Sequence, residues 1–295
     1  MITADTVLGG AAFLGASGAV VYATSLAAVV REAIRPQRKT IGWALGRGTP
    51  SEPDAWGIPA REFVHSHAGA ECPVFDLGAT DPNAITAVVL HGFSRSRYDA
   101  LARLGPLLPH AQRFLLPDLP GHGDAIGRGT RLGSDEEKFV ESLVETTTGP
   151  LLFVGHSLGA VVALHAAAQP ALASRVRGVV ALAPYERVST PLAARLDLRA
   201  MPRWALLQPT LSALRLCGIN ERSTRLAASE LRCPLAVIAG ANDPVTPIEE
   251  ARAIAHAARM SHFALLPNGR HDDFHTLGNS EMVNALAWIA AQQRA

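Results

Sequence analysis

Three side chains, far apart along the chain, are of the types that together cleave an acyl bond. Ser157 stands in Gly155-His156-Ser157-Leu158-Gly159, Asp243 in Gly240-Ala241-Asn242-Asp243-Pro244, and His271 in Pro267-Asn268-Gly269-Arg270-His271. A serine hydroxyl is a weak nucleophile at neutral pH and needs an adjacent base. An imidazole can serve, provided a carboxylate fixes its tautomer and stabilises the imidazolium that forms. The oxyanion of the tetrahedral intermediate needs backbone N–H donors. The N–H of Leu158, directly after the serine, is one expected donor. The N–H of Phe93, in the His91-Gly92-Phe93 loop, is the other.

The elements around these residues suit that chemistry. The apolar run 151–154 before Gly155 is of strand type, and the alanine-rich run 160–168 after Gly159 is of helix type. A Gly-x-Ser-x-Gly turn between a strand and a helix is a nucleophile elbow. It is so tight that only residues lacking a Cβ fit on either side. The helix N-terminus then points at the serine oxygen and favours developing negative charge. Asp243 follows an apolar strand, 235–239, and His271 follows another, 262–266, so both sit in loops at strand carboxyl ends. Active sites of open α/β sheets form there.

Other residues compete for these roles. Glu186, just past the strand 176–182, is the alternative acid. His275 is four residues beyond His271, a spacing that can bind zinc, but the glutamate of the metalloprotease helix is missing. No metal is expected. Asp118-Leu119-Pro120-Gly121-His122-Gly123 reads as a structural turn, with His122 outside the chemistry. Arg95 and Arg97 lie beside the Phe93 loop; they are expected to be solvated surface cations, with binding of an anionic head group as the alternative. Cys72, Cys217 and Cys233 match neither a zinc pattern nor a disulfide framework.

Across the 295 residues, 48% hydrophobic and 18% charged content suits a large core, and a net charge of +1 gives no reason to expect a nucleic-acid partner. Strand patterns at 61–67, 72–77, 86–90, 113–116, 151–154, 176–182, 235–239 and 262–266 alternate with helix patterns at 98–108, 135–146, 158–169, 248–258 and 280–292. This predicts an α/β fold, a doubly wound, mostly parallel sheet of eight strands. The first two strands have no helix between them and should form an antiparallel hairpin. The 48 residues between Pro184 and Cys233 are too many for a simple link. They predict a small helical lid over about 185–232. Its stripe of Met201, Trp204, Leu207, Leu211 and Leu214 is apolar on one face, positioned to touch an acyl chain or to pack on the sheet.

Residues 7–30 carry no charge. As a helix they would extend about 36 Å, enough to cross a hydrocarbon core. Arg31, Arg35, Arg38 and Lys39 follow, which predicts an uncleaved single-pass anchor with its N-terminus outside and the main domain in the cytoplasm; a cleaved signal peptide carries its charge before the apolar run. A helix packed on the protein's own surface, or an atypical signal peptide, is the alternative. The organisation expected is therefore an anchor with basic flank over 1–40 and a catalytic domain over 41–295. Ala11, Gly15, Ala19, Ala23 and Ala27 form a small-residue stripe that could bring two such helices together, though alanine richness explains it as well. Residues 36–59, with Trp43 and Trp56, read as a linker or packing arm, its tryptophans either at the membrane interface or against the domain.

His91-Gly92, Asp118-x-x-Gly121-x-Gly123, Gly155-His156-Ser157-Leu158-Gly159, Asp243-Pro244 and His271 occur in the order of the landmarks of the α/β-hydrolase superfamily, which the chain resembles over roughly residues 60–292. The order nucleophile, acid, histidine is that of these enzymes. Trp56-Gly57-Ile58-Pro59-Ala60-Arg61-Glu62 behind a membrane helix is similar to the BEM46-like branch, although Pro120 stands where that branch more often has arginine. The resemblance implies a serine hydrolase of carboxylic esters or thioesters, working without a cofactor through Ser157, His271 and Asp243. Serine at the elbow argues against dehalogenase and epoxide-hydrolase chemistry, which uses aspartate there. A membrane helix suggests a lipid or long-chain acyl substrate. The alternatives are acyl transfer by the same triad and a non-catalytic membrane scaffold. Oligomeric state is open.

Overall fold

The computed structural model describes residues 4–46, 48, 52–275 and 277–293, with side chains from residue 17 onward except that of His275. Eight strands lie along one sheet: β1 (Ala60–His67), β2 (Ala70–Gly78), β3 (Thr86–Leu90), β4 (Arg113–Pro117), β6 (Leu151–His156), β7 (Val176–Leu182), β8 (Leu235–Gly240) and β9 (Ser261–Leu266). Their spatial order is β1-β2-β4-β3-β6-β7-β8-β9. A ninth strand, β5 (Ile126–Gly127), pairs with β2, so the sheet has nine strands rather than the eight expected. Two residues are too few to show a period-two pattern. From β4 through β9 the pairing is parallel, while β1 and β2 form the expected antiparallel hairpin. β2 also meets β4 antiparallel, which makes the sheet mixed.

The central strands face two cores. Val88, Phe153, Val179 and Val237 point into one, and Ala87, Val89, Leu152, Val154, Val180 and Ile238 into the other. Continuous apolar runs are what strands covered on both sides require. The first core is closed by α4 (Glu136–Leu143), α5 (Leu158–Ala167), α8 (Thr224–Glu230) and α9 (Ile248–Ala257). The second is closed by α3 (Arg97–Leu101) and α10 (Asn279–Gln292). α3 is much shorter than the pattern over 98–108 because Pro106 cannot donate a backbone hydrogen bond; the chain continues there as a 3-10 turn, Gly105–Leu107. α8 has no apolar periodicity to announce it and starts where the Ser223 hydroxyl accepts from Leu226 N at 3.0 Å.

The N-terminal segment is a single helix, α1 (Ala4–Ile34), ending just before Pro36. It is the one helix among the described residues long and apolar enough to cross a membrane. Its last turns do not stand free, because Val29 and Ala33 are only 7% exposed. They pack against the segment between β7 and β8, which folds into α6 (Ser189–Leu198) and α7 (Arg203–Leu216) before α8. α7 lies against α1 and α6; Leu211 and Leu214 are buried, but Trp204 points outward at 89% exposure. The expected apolar stripe of α7 thus braces α1 and lines no part of the cleft at Ser157. Of the small-residue stripe, Ala11 and Gly15 lie outside the described side chains, and Ala19, Ala23 and Ala27 are exposed. α2 (Ile41–Gly46) and a 3-10 turn (Pro53–Trp56) follow α1, and Trp43 and Trp56 pack on the second core.

Among the described residues four imidazoles are buried: His91, His122, His156 and His165. Burial pushes every one of their pKa values below the ordinary value, that of His165 to about 4 and that of His156 to about 3. The unfolded chain takes up these protons near pH 6.5, and the folded chain does so only at lower pH. Between those limits the unfolded state binds more protons, so stability must fall as the pH falls. Urea unfolding at a series of pH values should show a loss beginning below about pH 6.5, ahead of carboxylate titration. His165→Asn should flatten this slope, and a stability curve level from pH 7 to 5 would contradict the assignment.

Candidate active site

The β6–α5 turn is built as its sequence requires. A Cβ on Gly155 would collide with the Gly159 carbonyl, and one on Gly159 with the Leu90 carbonyl of β3. Ser157 between them has φ +53° and ψ −112°, a strained conformation for a residue with a side chain. Its N–H donates to Leu182 O of β7 at 2.8 Å. The strain projects Oγ from the carboxyl end of the sheet at the start of α5.

The loops after β8 and β9 bring the other two groups to that oxygen. His271 Nε2 is 3.1 Å from Ser157 Oγ, and its Nδ1 is 2.7 Å from Asp243 Oδ2. Asp243 accepts three further hydrogen bonds, from Val245 N at 2.7 Å, Thr246 N at 3.0 Å and Thr246 Oγ1 at 2.6 Å. Burial pushes the Asp243 carboxyl up, but the His271 hydrogen bond and charge, with the Thr246 donors, outweigh it and hold the carboxyl below its ordinary range. It is an anion across the neutral range and can hold Nδ1 protonated, leaving Nε2 to accept the serine proton.

Phe93 borders the same cleft as Ser157, and Leu158 follows Ser157 directly in the chain. Neither Phe93 N–H nor Leu158 N–H has an acceptor among the described residues. The Phe93 loop is fixed from behind by His91. Leu119 N donates to His91 Nε2 at 2.9 Å, so the proton is on Nδ1, which donates to Gly92 O at 2.8 Å. The residue before the serine contributes as well. His156 Nε2–H donates to His271 O at 2.8 Å and so holds the backbone of His271. The sequence gives no sign of that role beyond its position in the elbow.

The competing residues are placed elsewhere. Glu186 accepts from Ser223 Oγ at 2.6 Å and Arg225 N at 2.9 Å, at the start of α8. The His275 side chain lies outside the described residues. His122 is buried under Phe93, its Nδ1 3.1 Å from Pro120 O. Arg95 and Arg97 are not solvated cations. Arg97 is buried against Asp118, Asp124 and Glu62, and Arg95 pairs with Asp272 while stacking on Trp43. Asp118 therefore locks the start of α3 to the turn after β4, which explains why that turn is acidic.

Two arms open from Ser157. One is mainly apolar, walled by Phe93, Leu132, Tyr185, Val188 and Leu192 and by the last turns of α1. The other is polar, with Lys39, Arg95, Arg195 and Arg270 facing Asp272 and Asp273. Arg195 of α6 borders both, its guanidinium 3.9 Å from the centre of the Phe93 ring. Burial lowers its pKa to about 10, which leaves it cationic. None of the apolar arm's residues apart from Phe93 and Ser157 stood out in the sequence, because the arm exists only once α1 and α6 dock.

Solved structures of the same architecture include an esterase from Pyrococcus furiosus, at 16% identity and TM-score 0.67 over 88% of this chain and 97% of that one. A putative lipase from Acinetobacter baumannii AYE aligns at 16% identity and TM-score 0.63 over 81% and 95%. A bacterial membrane phospholipase A aligns at 16% identity and TM-score 0.60, covering 99% of this chain and 100% of that one, the N-terminal helix included in this coverage. No curated protein matches. The family model described as the alpha/beta hydrolase family matches residues 87–286, from β3 through most of α10 and enclosing Phe93, Ser157, Asp243 and His271. The chain belongs to the alpha/beta hydrolase family.

Proposed function

We propose that the protein is a membrane-anchored serine hydrolase of carboxylic esters. The observation that carries this reading is the unbroken hydrogen-bond line from Ser157 Oγ through His271 to Asp243, with two unused N–H donors beside it. Ser157 Oγ attacks the acyl carbonyl while His271 Nε2 takes its proton. The oxyanion is held by the N–H groups of Phe93 and Leu158, each such donor lowering the barrier by about 3 kcal/mol. The carbonyl re-forms, the alcohol leaves with the proton from His271, and the acyl group stays on Ser157. Water then attacks the acyl-enzyme, giving its proton to His271, and the acid departs as Ser157 regains its proton. The apolar arm suits the acyl portion and the polar arm the alcohol portion. Esterase, lipase and thioesterase structures among the neighbours support the reaction class.

The membrane reading rests on α1 and its surroundings. Val20 and Val21 are exposed, and the adjacent Tyr22 hydroxyl donates to Ala205 O at 3.0 Å, next to the outward-facing Trp204. A Tyr and a Trp at one level are a common marker of the membrane interface. Residues 4–21, beyond that level, would extend about 27 Å as a helix, close to the hydrocarbon thickness of about 30 Å. A membrane phospholipase A among the structural neighbours supports a lipid substrate.

Two measurements test these points. On a chromogenic acyl ester, Ser157→Ala should lower kcat by roughly 10⁶ and Asp243→Asn by roughly 10⁴; turnover by Ser157→Ala at the parent rate would remove the nucleophile. The acid should be the product, and an ester formed with an added alcohol in its place would indicate acyl transfer. The full-length chain should remain with membranes after alkaline carbonate extraction, and a chain recovered soluble without detergent would remove the anchor.

A further inference from the structure

We infer that the last turns of α1 form a wall of the acyl-binding slot, so that the helix that meets the membrane also selects the acyl chain and leads it to Ser157. This rests on the ester-hydrolase reading and adds where the acyl chain lies. Val29, Glu32 and Ala33 border the same apolar arm as Ser157, opposite Val188, Leu192 and Leu196 of the lid. The contacts are graded along the helix. Val30, Ala33 and Ile34 share an apolar cluster with Leu132 and with Phe93, which borders the cleft at Ser157, whereas Leu26 and Val29 share one with Leu196, Met201 and Leu206. From Ile34 back to Leu26 is about 12 Å at 1.5 Å per residue. Beyond Leu26 the helix is exposed at Val20 and Val21. An apolar seam therefore runs from the reactive oxygen along α1 towards the part of the helix that faces lipid.

The polar contacts hold α1 in this place. Thr130 N donates to Ile34 O at 2.9 Å, and a Cβ on Gly129 would approach the same carbonyl to 2.5 Å. Arg199, at the end of α6, pairs with Glu32 across the seam, and the Tyr22 hydroxyl is tied to Ala205 of α7. A surface pair such as Glu32–Arg199 contributes little to stability, but it fixes which face of α1 meets α6. Ala33 and Leu192 both border the apolar arm, so a bulkier residue at position 33 would intrude on it. An aliphatic chain drawn from the bilayer into this seam exchanges one apolar surrounding for another, and its carbonyl arrives between Ser157 and the two N–H donors.

The test uses the full-length protein in detergent micelles with p-nitrophenyl acetate and p-nitrophenyl palmitate as paired probes. Ala33→Phe and Val29→Phe should lower the palmitate-to-acetate ratio of kcat/KM at least tenfold. Ala28→Phe, on the exposed side of the same helix, should leave the ratio as in the parent. A ratio unmoved by Ala33→Phe and Val29→Phe overturns the inference. Should either variant fail to fold, a palmitoyl-length fluorophosphonate with a diazirine at its chain end decides on the parent protein: crosslinks to residues 22–33 support the slot, and crosslinks found only elsewhere overturn it. A parent that turns over neither probe overturns the ester-hydrolase reading itself, a result separate from an unchanged chain-length ratio.

Discussion

The site depends on one close approach, that of Gly159 to the Leu90 carbonyl at the end of β3. With no Cβ in the way, α5 starts directly against the β3 strand end. The β6–α5 turn then becomes sharp enough to force Ser157 to positive φ, and the β3 loop with Phe93 is brought beside the same turn. A side chain at position 159 would part α5 from β3 and separate Ser157, the proposed nucleophile, from the Phe93 N–H proposed to hold the oxyanion. The remaining groups lock this arrangement from other directions: His91 pins the Phe93 loop to Leu119, His156 holds the His271 backbone, and Leu182 O accepts from the serine's own N–H. These contacts are buried, so the strain at Ser157 is set against a rigid surround.

Around that fixed centre the variable parts are helices. α6 and the last turns of α1 supply the apolar arm, and α7 serves mainly to brace α1. The N-terminal helix is in this sense continuous with the rest of the fold, and its docked turns around Val29 and Ala33 and its exposed residues 17–24 have different surroundings. Charge follows the same division. The polar arm collects Lys39, Arg95, Arg195 and Arg270, whereas Glu32 and Arg199 neutralise each other at the edge of the apolar one.

Much of this was legible in the sequence, for identifiable reasons. The strands could be read because those buried on both faces are unbroken apolar runs, and β3 and β7 begin and end where the pattern does. Ser157, Asp243 and His271 could be singled out because each follows such a run, in a glycine or proline turn. What could not be read depends on tertiary contact. Arg95 and Arg97 look like surface cations until Asp272 and Asp118 are folded against them. Position 156 in the elbow is variable by motif, and only the position of the His271 carbonyl gives it a task. The stripe on α7 is truly apolar at Leu211 and Leu214, but amphipathicity tells that a face is covered and not by what; here α1 is among its covers. The ends of α3 and the two-residue β5 fall below the length at which periodicity carries information.

The most direct test of the central claim is the stoichiometry and position of covalent labelling. A small fluorophosphonate added to the full-length protein should give one adduct per chain by intact mass, located by peptide mapping on Ser157, and labelling should be greatly slowed in His271→Ala. A correctly folded protein that takes up no label, or takes it up at another residue while Ser157 stays unmodified, would contradict the account.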